Sequence, residues 1–123
     1  MHKILVVDDD KKIVAALSLR LQNAGYEVAA AYDGPAAVEA CARERFSLIV
    51  MDINLPFTNG MRAVRQMNVD PSKTPVVFIT ASKLPSLRDQ AESLGAAGFF
   101  EKPYEPREVL DRIRQLLGDS VKT

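Results

Sequence analysis

Leu48-Ile49-Val50-Met51-Asp52-Ile53-Asn54-Leu55-Pro56-Phe57-Thr58-Asn59-Gly60 is the stretch whose reading decides the fold. Its first four residues are apolar and two of them are β-branched, which predicts a strand buried on both faces of a parallel sheet. The strand ends in a carboxylate, Asp52, and Pro56 and Gly60 then impose a loop before the next helical pattern. Open α/β sheets bind ligands beyond the carboxyl ends of their strands, so Asp52 stands where a site would be. Taken alone, it reads equally well as a loop carboxylate or a helix cap.

Upstream, Ile4-Leu5-Val6-Val7 is a second buried-strand run, and it ends in Asp8-Asp9-Asp10. Ile13, Leu17 and Leu21 then recur four apart, with Val14 beside Ile13, which predicts an amphipathic helix closed by Gly25 and capped by Asp10. A cap needs one Asp, whereas three adjacent carboxylates repel one another unless a cation sits among them. Tyr26 to Ala31 reads as a short strand, and Asp33-Gly34-Pro35 opens a helix to about Glu44 with Ala37, Val38 and Cys41 inward. Cys41 reads as a small core residue.

Downstream, Asn59 caps a helix from about Gly60 to Met67, with Val64 and Met67 inward, and residues 68–74 form a loop. Pro75 to Ile79 is the fourth strand, ending in Thr80-Ala81-Ser82. A helix from Pro85 or Ser86 to Leu94 follows, and its thin stripe of Leu87, Ala91 and Leu94 predicts the loosest packing of any helix. Gly98-Phe99-Phe100 is the last strand, ending in Glu101-Lys102-Pro103-Tyr104. From Pro106 a helix carries Val109, Leu110, Ile113, Leu116 and Leu117 on one face up to Gly118. Five strands alternating with five helices predict right-handed crossovers and a parallel sheet covered on both sides.

The bulk numbers bound the class. A chain of 123 residues suits a single domain spanning 1–123, with no output domain in this chain. Sixteen basic and sixteen acidic residues cancel, so no global field draws in nucleic acid or an anionic membrane. One cysteine allows no internal disulfide. No apolar run approaches the ~20 residues of a membrane span, and Met1-His2-Lys3 leads straight into a strand without a leader. A cytoplasmic module is expected.

The carboxyl ends of the strands carry Asp8, Asp9 and Asp10, then Asp52, Thr80 and Lys102. Singly, the acids and the threonine read as caps and the lysine as a solvated charge. Together they form a chemical set. Clustered carboxylates hold a hard divalent cation such as Mg2+ or Mn2+, which also takes waters and a phosphate oxygen. A carboxylate there can attack phosphorus to give an aspartyl phosphate. Phosphoryl transfer asks mainly for alignment and neutralised oxygens, which a metal, a lysine ammonium and a threonine hydroxyl supply. No glycine-rich phosphate loop competes, and His2 lies at the chain start.

VVDD after the first strand, DINLPFTNG, ITAS after the fourth strand and FFEKPY appear in the order and spacing of a known family. The chain resembles the receiver domain of two-component response regulators over residues 3 to 118. The resemblance implies a flavodoxin-like, doubly wound three-layer α/β sandwich with strand order 2-1-3-4-5. It implies that Asp52 accepts phosphate from a phosphohistidine on a sensor histidine kinase or phosphotransfer protein. Asp9 would ligate Mg2+ directly, Asp8 mainly through water, and the Asn54 carbonyl would add a ligand. Lys102 would pair with the phosphoryl group, with a cis Lys102-Pro103 bond. Thr80 would swing toward the phosphoryl group, and Phe99, where the family usually has Tyr or His, would rotate into the space left. Asn54 and Ser82 would tune the lifetime of the phosphoryl group. The fourth helix, fifth strand and fifth helix would report to a target, a second copy of the chain or a fused output domain.

Two other readings share this fold. A haloacid-dehalogenase-like phosphatase would place its nucleophile in a D-x-D-x-[TV] pattern after the first strand, but Lys12 occupies the last position here. A pseudo-receiver would keep the fold as a binding module without being phosphorylated.

Overall fold

The computed structural model describes residues 2–118; residues 1 and 119–123 of the expected 1–123 domain lie outside the described ones. The order of elements is β1 (Lys3–Val7), α1 (Lys11–Asn23), β2 (Glu27–Ala31), α2 (Gly34–Arg43), β3 (Leu48–Asp52), α3 (Gly60–Met67), β4 (Val76–Thr80), α4 (Pro85–Ser93), β5 (Gly98–Glu101) and α5 (Pro106–Leu116). All strand pairs are parallel, and the sheet runs β2-β1-β3-β4-β5, as the resemblance implies.

Side chains alternate across a strand, so consecutive apolar residues feed both faces of the sheet. Leu5, Val7, Ile49, Met51, Val76 and Phe78 point to one face, where Ala37 of α2, Ala63, Val64 and Met67 of α3 and Ala91 of α4 cover them. Ile4, Val6, Leu48, Val50, Val77 and Ile79 point to the other, beneath Val14, Leu17 and Leu21 of α1 and Val109 and Ile113 of α5. Three layers result. Burial on both sides is why these strands read as unbroken apolar runs.

Caps fix where the helices begin. Asp10 accepts hydrogen bonds from the N–H groups of Lys12 (2.9 Å) and Ile13 (3.3 Å). Asp33 accepts from Ala36 (2.7 Å) and Asn59 from Arg62 (2.8 Å). α4 and α5 lack this device, since Leu84 and Glu105 occupy their N-caps without a side-chain hydrogen bond, and Ala91 is the one buried residue of α4. Beyond α3, Asn68 turns left-handed (φ 56°) and leads into an exposed turn in which Asp70 accepts from the Ser72 N–H and hydroxyl.

Some boundaries differ from the expected ones. Tyr26 is buried but precedes β2. β4 starts at Val76 because Pro75 has no N–H to give the ladder, although its carbonyl accepts from Ile49 (3.0 Å). Cys41, expected in the core, is half-buried at the edge of the α2–α3 face. Burial still pushes its thiol up to about 11.

Candidate functional site

Register brings the acids and the lysine to one edge of the sheet. Val7 pairs with Met51, so the next residues along, Asp8 and Asp52, emerge side by side. Asp52 pairs with Ile79 and Thr80 with Glu101, so Thr80 and Lys102 follow one step beyond on successive strands. Ladder bonds continue past the strand ends and hold these residues in place: Asp8 N–H to Ala31 O (3.2 Å), Ile53 N–H to Ile79 O (2.8 Å) and Lys102 N–H to Thr80 O (2.8 Å).

Asp8 and Asp52 are 2% and 1% exposed, which is unusual for carboxylates. Each is locked by its own backbone. One oxygen of Asp8 accepts the Asp10 N–H (2.9 Å), and one oxygen of Asp52 accepts the Asn54 N–H (2.9 Å). Between the two remaining oxygens lies the Lys102 ammonium, 2.9 Å from Asp52 Oδ2 and 3.0 Å from Asp8 Oδ2. The contact with Asp52 is a hydrogen bond, whereas the buried Asp8 Oδ2 is held by its ion pair with the lysine. Asp9 is exposed and brings a third carboxylate, so that one oxygen from each of Asp8, Asp9 and Asp52 lies within 4.8 Å of the others.

These surroundings set the charges. Burial pushes the Asp52 carboxyl up to about 6, against the pull of the Lys102 and Asn54 hydrogen bonds and with the help of the neighbouring Asp8 charge. For Lys102, burial disfavours the charge, but its contacts with Asp52 and Asp8 outweigh this and hold its pKa above the ordinary value. Two buried acids against one half-buried lysine leave a deficit of positive charge. An all-oxygen set of three carboxylates sharing one lysine fits a hard divalent cation.

The rim is shaped by the loop between β3 and α3. The Gly60 N–H closes this loop on Ile53 O (2.9 Å). A Cβ at Gly60 would stand 2.2 Å from the Asp52 carbonyl oxygen, so no side chain fits there. Phe57, at the loop tip, has φ 73° and is 87% exposed. The Asn54 side chain accepts from the Thr80 hydroxyl (2.7 Å) and the Ala81 N–H (3.1 Å), and the Thr80 hydroxyl accepts from the Ser82 N–H (3.0 Å). Thr80 is fully buried. Phe99 is partly exposed on β5, and the Lys102-Pro103 bond is cis.

The structure thus gathers Asp8, Asp9, Asp52 and Lys102 at one point, with Asn54, Thr80 and Ser82 linked beside them. Two features escaped the sequence reading. One is the Asn54–Thr80 hydrogen bond; the other is the Arg88 guanidinium lying over the Phe99 ring at 4.7 Å. An arginine one residue beyond Leu87 gives no local sign of which ring it will meet.

Comparisons with known proteins agree with this architecture. Residues 4–114 match the response regulator receiver domain family. The alkaline phosphatase synthesis transcriptional regulatory protein PhoP of Bacillus subtilis (strain 168) is 36% identical over 118 residues, covering 96% of this chain and 49% of that protein. The chain therefore spans about half the length of the curated relatives it matches. A CheY-like receiver domain protein from Methanospirillum hungatei JF-1 superposes with a TM-score of 0.89 at 27% identity, covering 96% of this chain and 94% of that one. Response regulator TrrA of Thermotoga maritima, solved in complex with Mg2+-BeF, gives a TM-score of 0.82 at 26% identity, covering 94% of this chain and 99% of that one.

This chain belongs to the response regulator receiver domain family. It shares the CheY-like, flavodoxin-type fold of that family and the two-component signalling role that defines it.

Proposed function

We propose that this chain is a phosphorylation-controlled switch in which Asp52 takes a phosphoryl group from a phosphohistidine on a histidine kinase or phosphotransfer protein. The observation that carries the reading is the Lys102 ammonium placed 2.9 and 3.0 Å from oxygens of Asp52 and Asp8, with Asp9 alongside. In the transfer an Asp52 carboxylate oxygen forms a bond to phosphorus as the phosphorus–nitrogen bond to imidazole breaks. The imidazole leaves with the electron pair and takes a proton from solvent. Asp8, Asp9, Asp52 and the Asn54 carbonyl would hold Mg2+ or Mn2+, which neutralises phosphoryl oxygen charge when bound. Lys102 neutralises a second oxygen, and the Thr80 hydroxyl leaves Asn54 to donate to a third. Phe99 then rotates into the space that Thr80 gives up, while Asn54 and Ser82 flank the approach of hydrolytic water.

The output is a population shift at the face formed by α4, β5 and α5, read by a target protein, a second copy of the chain or an output domain. On this reading the chain works in the cytoplasm as a signalling protein, with its kinase and its target as protein partners.

Incubation with phosphoramidate and Mg2+ tests the proposal by intact mass. The wild type should gain one phosphoryl group as a base-labile acyl phosphate, and Asp52→Asn should gain none. Labelling that persists in Asp52→Asn and disappears only in Asp8→Asn would instead support a phosphatase-type nucleophile. Failure of the wild type to bind Mg2+ together with beryllofluoride would favour the pseudo-receiver.

A further inference from the structure

Phe99 has two different sides. Inward, it packs against the buried cluster that contains Phe78 and Ala91. Outward, the Arg88 guanidinium of α4 lies 4.7 Å from the ring centroid, inside the ~6 Å over which a cation is drawn to the face of an aromatic ring. Arg88 is exposed, and none of the ion pairs among the described residues involves it. In the same arrangement the Thr80 hydroxyl is engaged with Asn54.

We propose that the Arg88–Phe99 contact is a latch that weights this switch toward its resting arrangement; the inference rests on the phosphorylation reading above. Inward rotation would carry the ring away from the guanidinium. Arg88 cannot follow, because burying an unpaired guanidinium costs far more than the contact returns. A phenylalanine ring has no hydroxyl with which to anchor itself in either position, so the cation supplies the directional hold. The α4 helix that carries the cation has a single buried residue and no side-chain cap, which leaves Arg88 free to adjust over the ring while it stays outside. A contact present in one state and absent from the other shifts the equilibrium between them, and by linkage it weakens any ligand that selects the second state.

The probe is beryllofluoride with Mg2+, which mimics a phosphoryl group on a carboxylate. Arg88→Ala should bind it about two- to five-fold more tightly than the wild type, the ratio expected for losing one exposed cation–π contact from the resting state. Arg88→Lys should fall between the two. In a Phe99→Leu background, Arg88→Ala should change nothing, since the face it opposes is gone. The sign discriminates, because removing a positive charge near an anion site by itself weakens anion binding. In the free wild type, the Arg88 Nε proton should show an upfield ring-current shift that disappears on adding Mg2+ and beryllofluoride. Unchanged or weaker binding by Arg88→Ala, equal tightening in the Phe99→Leu background, or an unshifted Nε proton would overturn the latch and leave the switch standing. A wild type that binds no beryllofluoride would overturn both.

Discussion

At the scale of the residue, the charge state of Asp52 governs behaviour. Its native pKa of about 6 lies above the ordinary 3.8, so the folded chain keeps this proton longer than the unfolded chain does. The stability linked to that proton is complete below about pH 4. It is lost as pH rises through 6, leaving a buried, partly compensated charge. Asp52→Asn is a neutral near-isostere. In metal-free buffer at pH 8 it should be more stable than the wild type by about 1–3 kcal/mol in urea unfolding, and the gain should vanish near pH 4. Asp52, Asp9 and Lys102 were visible in the sequence because each lies at or just past the end of an apolar run and is a group that an ordinary strand end does not need. Phe57 was not visible in this way. Its left-handed backbone (φ 73°) follows from the loop closing on Ile53, and nothing in Pro56-Phe57-Thr58 announces a conformation that usually favours glycine. The Asn54–Thr80 hydrogen bond was equally hidden, since it joins residues 26 apart.

Among the elements, the strands were the most legible and their first residues the least. Apolar runs mark burial, but where a ladder starts depends on a partner's register, as Pro75 and Tyr26 illustrate. Helix starts at Asp10, Asp33 and Asn59 were plain because each cap uses its own side chain on nearby N–H groups. α4 and α5 begin without a side-chain cap, at Leu84 and Glu105, and of the two α4 is the weaker, burying only Ala91 where α5 buries Val109 and Ile113. α3 instead buries Met61, Ala63, Val64 and Met67. Hydrogen exchange in the unliganded protein should therefore open α4 amides faster than those of α3, because opening energies follow buried apolar contact. Equal protection of the two helices would contradict the view of α4 as the yielding element.

Over the whole molecule, the sheet order makes the site. β1 and β3 adjoin each other with β4 and β5 next in line, so one edge collects residues that are far apart in the chain. That order came from family resemblance; alternation of strands and helices alone fixes the class but not which strand lies in the middle. Because the excess acid at this edge has one lysine to balance it, a divalent cation should stabilise the native state. At a hundred times its dissociation constant, Mg2+ should add about 2.7 kcal/mol to unfolding stability, and Asp9→Asn should gain markedly less. Equal gains in both proteins would place the ion elsewhere.

The exposed turn at Asp70–Ser72, which follows α3 at the amino-terminal rim of the sheet, has a practical consequence. Asp8, Asp9, Asp52, Thr80 and Lys102 sit at the opposite rim, and loop lengthening carries only a logarithmic entropic cost. A short epitope or fluorophore-bearing peptide spliced in after Ser72 would give this protein a handle that rides on the scaffold without altering its chemistry.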